Sequence, residues 1–232
     1  MNKIGIIGAM EEEVITLKTK MQIKGTTTKA CMEFVEGTLE NKEVVVVRCG
    51  VGKVNAAICT QILIENFNID CVINVGIAGG LYPDINIGDI VISSDTVQHD
   101  METDAVGGAR GEIPRLGKAF FEADKMLIDI AQEAAEKIIA PYKVYIGRIA
   151  SGDQFVANVA VKEDIYTTFT AYCAEMEGAA IAHTCFLNEI PFVVIRSISD
   201  KADNSAGGTF EEFVELSSKN AMKVIVAMLQ KL

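Results

Sequence analysis

The feature that most constrains this chain is a regular alternation, over its whole length, of short apolar runs bounded by Gly or Pro with segments of helical periodicity. Residues 3–9 read as a strand and 11–20 as a helix. Residues 31–39 and 43–49 read as a hairpin turning at Glu40-Asn41-Lys42. Residues 53–67 read as a helix, because Val54, Ala57, Ile58 and Ile62 fall on one stripe. Strands follow at 71–77 and 89–94, a helix at 126–139, a strand at 142–150 and a helix at 159–168. A short strand at 171–175 runs straight into a helix at 178–187, and 192–198 is an apolar strand. The closing helix is predicted to start at Phe210, behind the capping-box pattern Thr209-x-x-Glu212, with Val214, Ala221, Ile225, Met228 and Leu232 as its stripe. Such alternation predicts one α/β domain over residues 1–232, with three αβα layers around a central mixed β-sheet. Residues 96–119, rich in Gly and charge, are expected to form a long functional loop.

Charge narrows the possible partners. With 21 Lys and Arg against 32 Asp and Glu, the net charge is −11, which repels nucleic acid and anionic membranes. No apolar run reaches the roughly 18 residues of a membrane span. The first eight residues, broken by Gly5 and Gly8 before three glutamates, read as a strand rather than a signal peptide. Six cysteines without C-x-x-C spacing read as reduced, buried small hydrophobes of a cytoplasmic protein. Only two histidines, His99 and His183, are present, too few good ligands for a zinc site, and no metal is expected.

The glycine-rich stretches fall short of phosphate-binding fingerprints. Gly50-Val51-Gly52-Lys53-Val54-Asn55 has Asn where a dinucleotide loop needs its third Gly, and Lys53 lacks the preceding G-x-x-x-x-G. Gly76-Ile77-Ala78-Gly79-Gly80 follows a strand but opens no helix. These glycines either make tight turns or let a flat ligand approach the backbone closely. Carboxylates collect at the same strand ends: Glu11-Glu12-Glu13, Glu175-Met176-Glu177 and Ser199-Asp200. Each has a structural reading. Acids favour a helix's first turn, Glu175 can neutralise Arg196 inside an apolar strand, and Asp200 suits a turn. Three strand ends each offering a carboxylate, on the rim where open α/β sheets bind ligands, point instead to a site. Nucleophilic catalysis finds less support: G-x-S-x-G is absent, and His183 and Cys185, two apart on a helix, face different directions and read as structural.

Taken together, Gly5-Ile6-Ile7-Gly8-Ala9-Met10-Glu11-Glu12-Glu13, Gly50-Val51-Gly52-Lys53, Ser151-Gly152-Asp153-Gln154-Phe155, Glu175-Met176-Glu177 and Arg196-Ser197-Ile198-Ser199-Asp200 resemble the bacterial 5′-methylthioadenosine/S-adenosylhomocysteine nucleosidases of the purine nucleoside phosphorylase-like superfamily. The resemblance runs from Lys3 to Leu232. It implies hydrolysis of the bond between adenine and ribose in methylthioadenosine and adenosylhomocysteine, with 5′-deoxyadenosine a further candidate, by a cytoplasmic homodimer that needs no cofactor. By resemblance, Asp200 is the general acid on adenine N7 and Glu13 activates water. Glu177 would bind the ribose hydroxyls, with Met176 against the sugar. Phe155 would stack on adenine, Val156 would read its amino edge, and Ala78 and Gly79 would line the base pocket. Met10, Val51 and Phe210 would surround the sugar and its 5′ substituent, with Glu175, Arg196 and Ser199 in support.

Charge agrees with hydrolysis, since a carboxylate at the attacking position repels phosphate and suits water. The alternatives are a phosphorylase, a sister nucleosidase for a larger 6-amino-purine nucleoside, and a non-catalytic purine binder, which has no need of an acid and a base together. Two positions depart from the family pattern: Ile77 replaces a small hydroxyl residue, and Val106 stands where a neighbouring subunit often supplies Phe. Pro114 matches.

Overall fold

The computed structural model describes residues 1–232. In chain order the elements are β1 (Lys3–Gly8), α1 (Glu11–Lys20), β2 (Gln22–Lys29), β3 (Met32–Leu39), β4 (Lys42–Arg48), α2 (Lys53–Phe67), β5 (Cys71–Gly80), β6 (Ile90–Gln98), β7 (Phe120–Glu122), α3 (Lys125–Ile138), β8 (Val144–Ser151), α4 (Val159–Phe169), β9 (Cys173–Glu175), α5 (Gly178–Leu187), β10 (Phe192–Asp200) and α6 (Ala206–Leu229). All ten strands join one sheet in the order β10-β6-β8-β9-β5-β1-β4-β3-β2, with β7 beside β6. The sheet is mixed, as expected. β1 lies parallel to β4 and β5, β5 parallel to β10, and β10 antiparallel to β6. Because β10 bonds to both β5 and β6, the strands β5, β10, β6, β8 and β9 close into a ring.

The layers follow from period-two burial. Ile4, Ile6, Val44 and Val46 face one core, with residues of α1, α3 and α6. Ile7, Val45 and Val47 face the other, with α2 and α5. Parallel strands buried on both faces read as continuous apolar runs, and for that reason β1, β4, β5 and β10 were visible in the sequence.

Other boundaries differ from expectation. β2 escapes the periodicity because it is an edge strand, mostly exposed on both faces, with a register shift near Gly25. The hairpin turns at Glu40-Asn41, both with positive φ, so Lys42 already belongs to β4. The expected 96–119 loop shrinks at its start, since β6 continues to Gln98, and β7 begins directly after it. Helix α6 starts at Ala206, four residues before Phe210. Gly207 and Gly208 are helical, and the Thr209 hydroxyl sits inside the helix, donating to the Ser205 carbonyl at 3.1 Å. Five cysteines are buried, but Cys31 is exposed on the positive-φ turn between β2 and β3. His183 stacks on Phe121 at 4.6 Å, and Cys185 packs in the core, in keeping with structural roles.

The β3–β4 arm is tied to α2 by Phe34, fully buried and stacked on Phe67 at 5.1 Å. Truncation at that site leaves a cavity. Phe34→Ala is expected to lower the unfolding free energy by about 3–5 kcal/mol in denaturant titrations.

Candidate active site

A pocket opens where β1, β5, β9 and β10 end. Of the sequence-predicted site residues, Met10, Glu13, Val51, Ala78, Gly79, Phe155, Val156, Glu175, Met176, Glu177, Ser199, Asp200 and Phe210 all line it. Arg196 does not. It lies beneath the pocket floor, 2% exposed. The sequence reading missed Ala9, Gln154 and Ala174 in the wall, and Asn74 below it. Asn74 carried a signal, being the one amide in an otherwise apolar strand.

Glu13 is the only one of the three consecutive glutamates in the wall. Glu11 turns outward to Lys18 at 3.2 Å, which is the helix-surface role expected for part of that run. The Glu13 carboxylate folds back on its own helix start. Its Oε2 accepts from the N–H groups of Ala9 (2.6 Å) and Met10 (2.9 Å), and its Oε1 from the N–H of Ile77 (3.0 Å). Burial raises its pKa, against the lowering pull of Arg196 and those three amides.

Asp200 ends β10 and is 1% exposed. It has fewer donors: the Ala202 N–H at 2.8 Å and the Ser199 hydroxyl at 2.9 Å. That hydroxyl also lies 3.4 Å from the Ala78 carbonyl. Burial again raises the pKa, more than these bonds lower it.

The strand between these two acids is β5. A Cβ on Gly76 would stand 2.5 Å from Glu13 Oε1, and one on Gly79 would stand 2.9 Å from Asp200 Oδ1. Both glycines are therefore required by close approach rather than by turn geometry. Three residues of strand, roughly 10 Å, separate them.

A second layer orients the remaining carboxylates. Arg196 Nη2 donates to Glu175 Oε2 (2.5 Å) and Asn74 Oδ1 (2.6 Å), so the expected Arg196–Glu175 pairing is present. Glu175 also accepts from the N–H groups of Glu177 (3.1 Å) and Gly178 (2.8 Å) and from the Ser151 hydroxyl. It thereby fixes the start of α5. Glu177, at that helix start, accepts from the Gly52 N–H at 2.8 Å. Burial first, and then the neighbouring Glu175, push its pKa up to about 8. At the mouth, Phe155 is 47% exposed and meets Phe210 edge-on at 5.6 Å. Val106 is 84% exposed on its loop, outside the pocket wall. Among the lining residues there is no Lys, Arg or His.

Comparison with known proteins supplies the family. A family model described as the phosphorylase superfamily matches residues 3–230. A protein of Halalkalibacterium halodurans named 5′-methylthioadenosine/S-adenosylhomocysteine nucleosidase is 43% identical over 233 residues, covering all of both chains. The chain belongs to that nucleosidase family. Among solved structures, the nucleosidase of Neisseria meningitidis, in complex with methylthio-immucillin-A, superposes with a TM-score of 0.96 at 38% identity over the whole of both chains. The futalosine hydrolase of Helicobacter pylori superposes with a TM-score of 0.94 at 34% identity, covering 100% of this chain and 98% of that one.

The raised Glu177 pKa has a consequence for stability. The folded state holds this proton more tightly than the unfolded chain does, so stability is lost as pH rises from about 4.5 toward 8. Glu177→Gln removes that slope. Between pH 5 and pH 8 the wild-type melting temperature is expected to fall by several degrees relative to the variant, at ~2–4 °C per kcal/mol for a chain of this size.

Proposed function

We propose that this chain hydrolyses the N-glycosidic bond of 5′-methylthioadenosine and S-adenosylhomocysteine, releasing adenine and the 5′-substituted ribose. The observation that carries the mechanism is the unequal solvation of two buried carboxyls. Glu13 receives three backbone N–H bonds, which favour its anion. Asp200 receives one N–H and one hydroxyl that has a second acceptor nearby, which leaves it the better holder of a proton. Asp200 then protonates N7 of the departing adenine, and Glu13 orients and deprotonates water. A pKa raised by burial suits both tasks: the acid keeps its proton closer to neutrality, and the base binds one more strongly. Glu177 accepts from the ribose hydroxyls, and its ionised form favours the positive charge that grows on the sugar. Phe155 lies against the base, with Val156 at its amino edge and Ala78 and Gly79 behind it. Met10, Val51, Met176 and Phe210 enclose the sugar and its 5′ group.

Water rather than phosphate is the attacking group in this reading. A phosphate dianion needs cations or free N–H groups. The wall offers carboxylates and no cation, and Arg196 is committed to Glu175 and Asn74. Adenine release from a panel of 5′-substituted adenosines is expected to proceed at the same rate with and without phosphate. Asp200→Asn is expected to lower kcat by about 10²–10⁴-fold while nucleoside binding persists. Phosphate-dependent release, or a fully active Asp200→Asn enzyme, would show the reading to be wrong.

The working unit is proposed to be a cytoplasmic homodimer. The cytoplasmic assignment is supported by six unpaired cysteines. The dimer is supported by Val51, Val54 and Ile58, which line an exposed apolar stripe along the start of α2. Leu187 is also exposed, on α5, which packs against α2. Val54→Glu is expected to shift light-scattering mass toward the monomer.

A further inference from the structure

We propose that Lys53, Asp100 and Asp153 form a positioning clamp that aims the Glu177 carboxylate, and that this clamp sets how strongly the enzyme demands a ribose with both hydroxyls. The proposal rests on the assignment of Glu177 to those hydroxyls. Three separate segments meet in a closed cycle. The Lys53 backbone N–H donates to Asp153 Oδ1 at 2.8 Å. The Asp153 backbone N–H donates to Asp100 Oδ2 at 2.9 Å. Asp100 Oδ1 then accepts from the Lys53 ammonium at 2.6 Å, which also reaches Gln98 Oε1 at 3.3 Å. Burial alone would raise the Asp100 carboxyl, but Lys53 and the Asp153 N–H outweigh it and hold it below its ordinary value.

The cycle touches the site through one atom pair. The residue before Lys53 is Gly52, whose N–H donates to Glu177 Oε1. Gly52 has φ +99, and a Cβ there would meet Asp153 Oδ1 at 3.2 Å. Lacking a Cβ, glycine leaves the relative orientation of its two flanking peptide planes free. The two adjacent N–H groups at the start of α2 point at carboxylates from two other segments, and the Lys53 side supplies the restraint. A partly exposed ion pair contributes little by itself to stability. Here both carboxylates of the cycle are also tied to backbone N–H groups, so its consequence is geometric. The clamped residues lie outside the pocket wall, and they act through Gly52 and Glu177.

The test compares kcat/KM for 5′-methylthioadenosine with that for its 2′-deoxy and 3′-deoxy counterparts. Wild-type enzyme should prefer the ribosyl substrate. In Lys53→Met that preference is expected to shrink about tenfold, the scale of one charge-assisted hydrogen bond. Lys53→Arg should restore most of it. Asp100→Asn keeps the Asp153 contact but removes the ion pair, and should give an intermediate loss. It also serves as the second variant should Lys53→Met fold poorly. A merely structural role would lower all three substrates by the same factor and leave their ratio unchanged. That result, against a wild type that does discriminate, overturns the clamp alone. A wild-type enzyme indifferent to both hydroxyls overturns the assignment of Glu177 and the clamp with it.

Discussion

A single guanidinium under the pocket floor organises the rest of the site. Arg196 comes from the middle of a fully buried strand and bonds to Glu175 and Asn74. Glu13 and Glu177 lie within its field. One cation stands among three buried glutamates, and burial, joined at Glu177 by the neighbouring Glu175, makes the Glu13 and Glu177 carboxyls hold protons more tightly than usual. Such a pocket resists an anion and favours a ligand on which positive charge is growing. In the proposed reaction the ribosyl group is that ligand. Removing Arg196 would leave Glu175 buried without its counter-ion, a change that strongly destabilises folded chains.

The parts of this fold that the sequence reveals are those whose environment is the same on both sides. Ile4 to Ile7 and Val44 to Val47 are buried above and below the sheet, so their apolar runs are unbroken and their class is plain. Strand β2 is open above and below, and its Gln, Lys and Thr residues give no periodicity to read. The start of α6 was hidden for another reason. Gly207-Gly208 has the composition of a turn, yet both lie exposed in the first turn of the helix, directly after the buried Ala206.

The site divides along similar lines. Glu13, Glu177 and Asp200 announce themselves as charges placed directly after apolar strands. The need for glycine at 76 and 79 could not be read in that way. It arises from strand register: Gly76 pairs with Arg196 and Gly79 with Asp200 across β5 and β10, which brings side chains from distant parts of the chain against bare backbone. Asp100 is invisible to sequence pattern for the same reason, since it acquires Lys53 and the Asp153 N–H as partners through tertiary contact rather than through a motif.

The closed ring of five strands has one more consequence. In an open sheet, a strand at the margin can peel away while the remainder stays folded. Strand β10, which ends in Asp200, has a bonded neighbour on each flank, and so does β5. Ile195–Ser197 of β10, paired with β5 on one side and β6 on the other, have no free margin from which fraying could begin, so their amide hydrogens should exchange with solvent only when the whole molecule opens. Opening toward a substrate is then expected of the loops at the mouth before it is expected of the doubly paired strand centre beneath them.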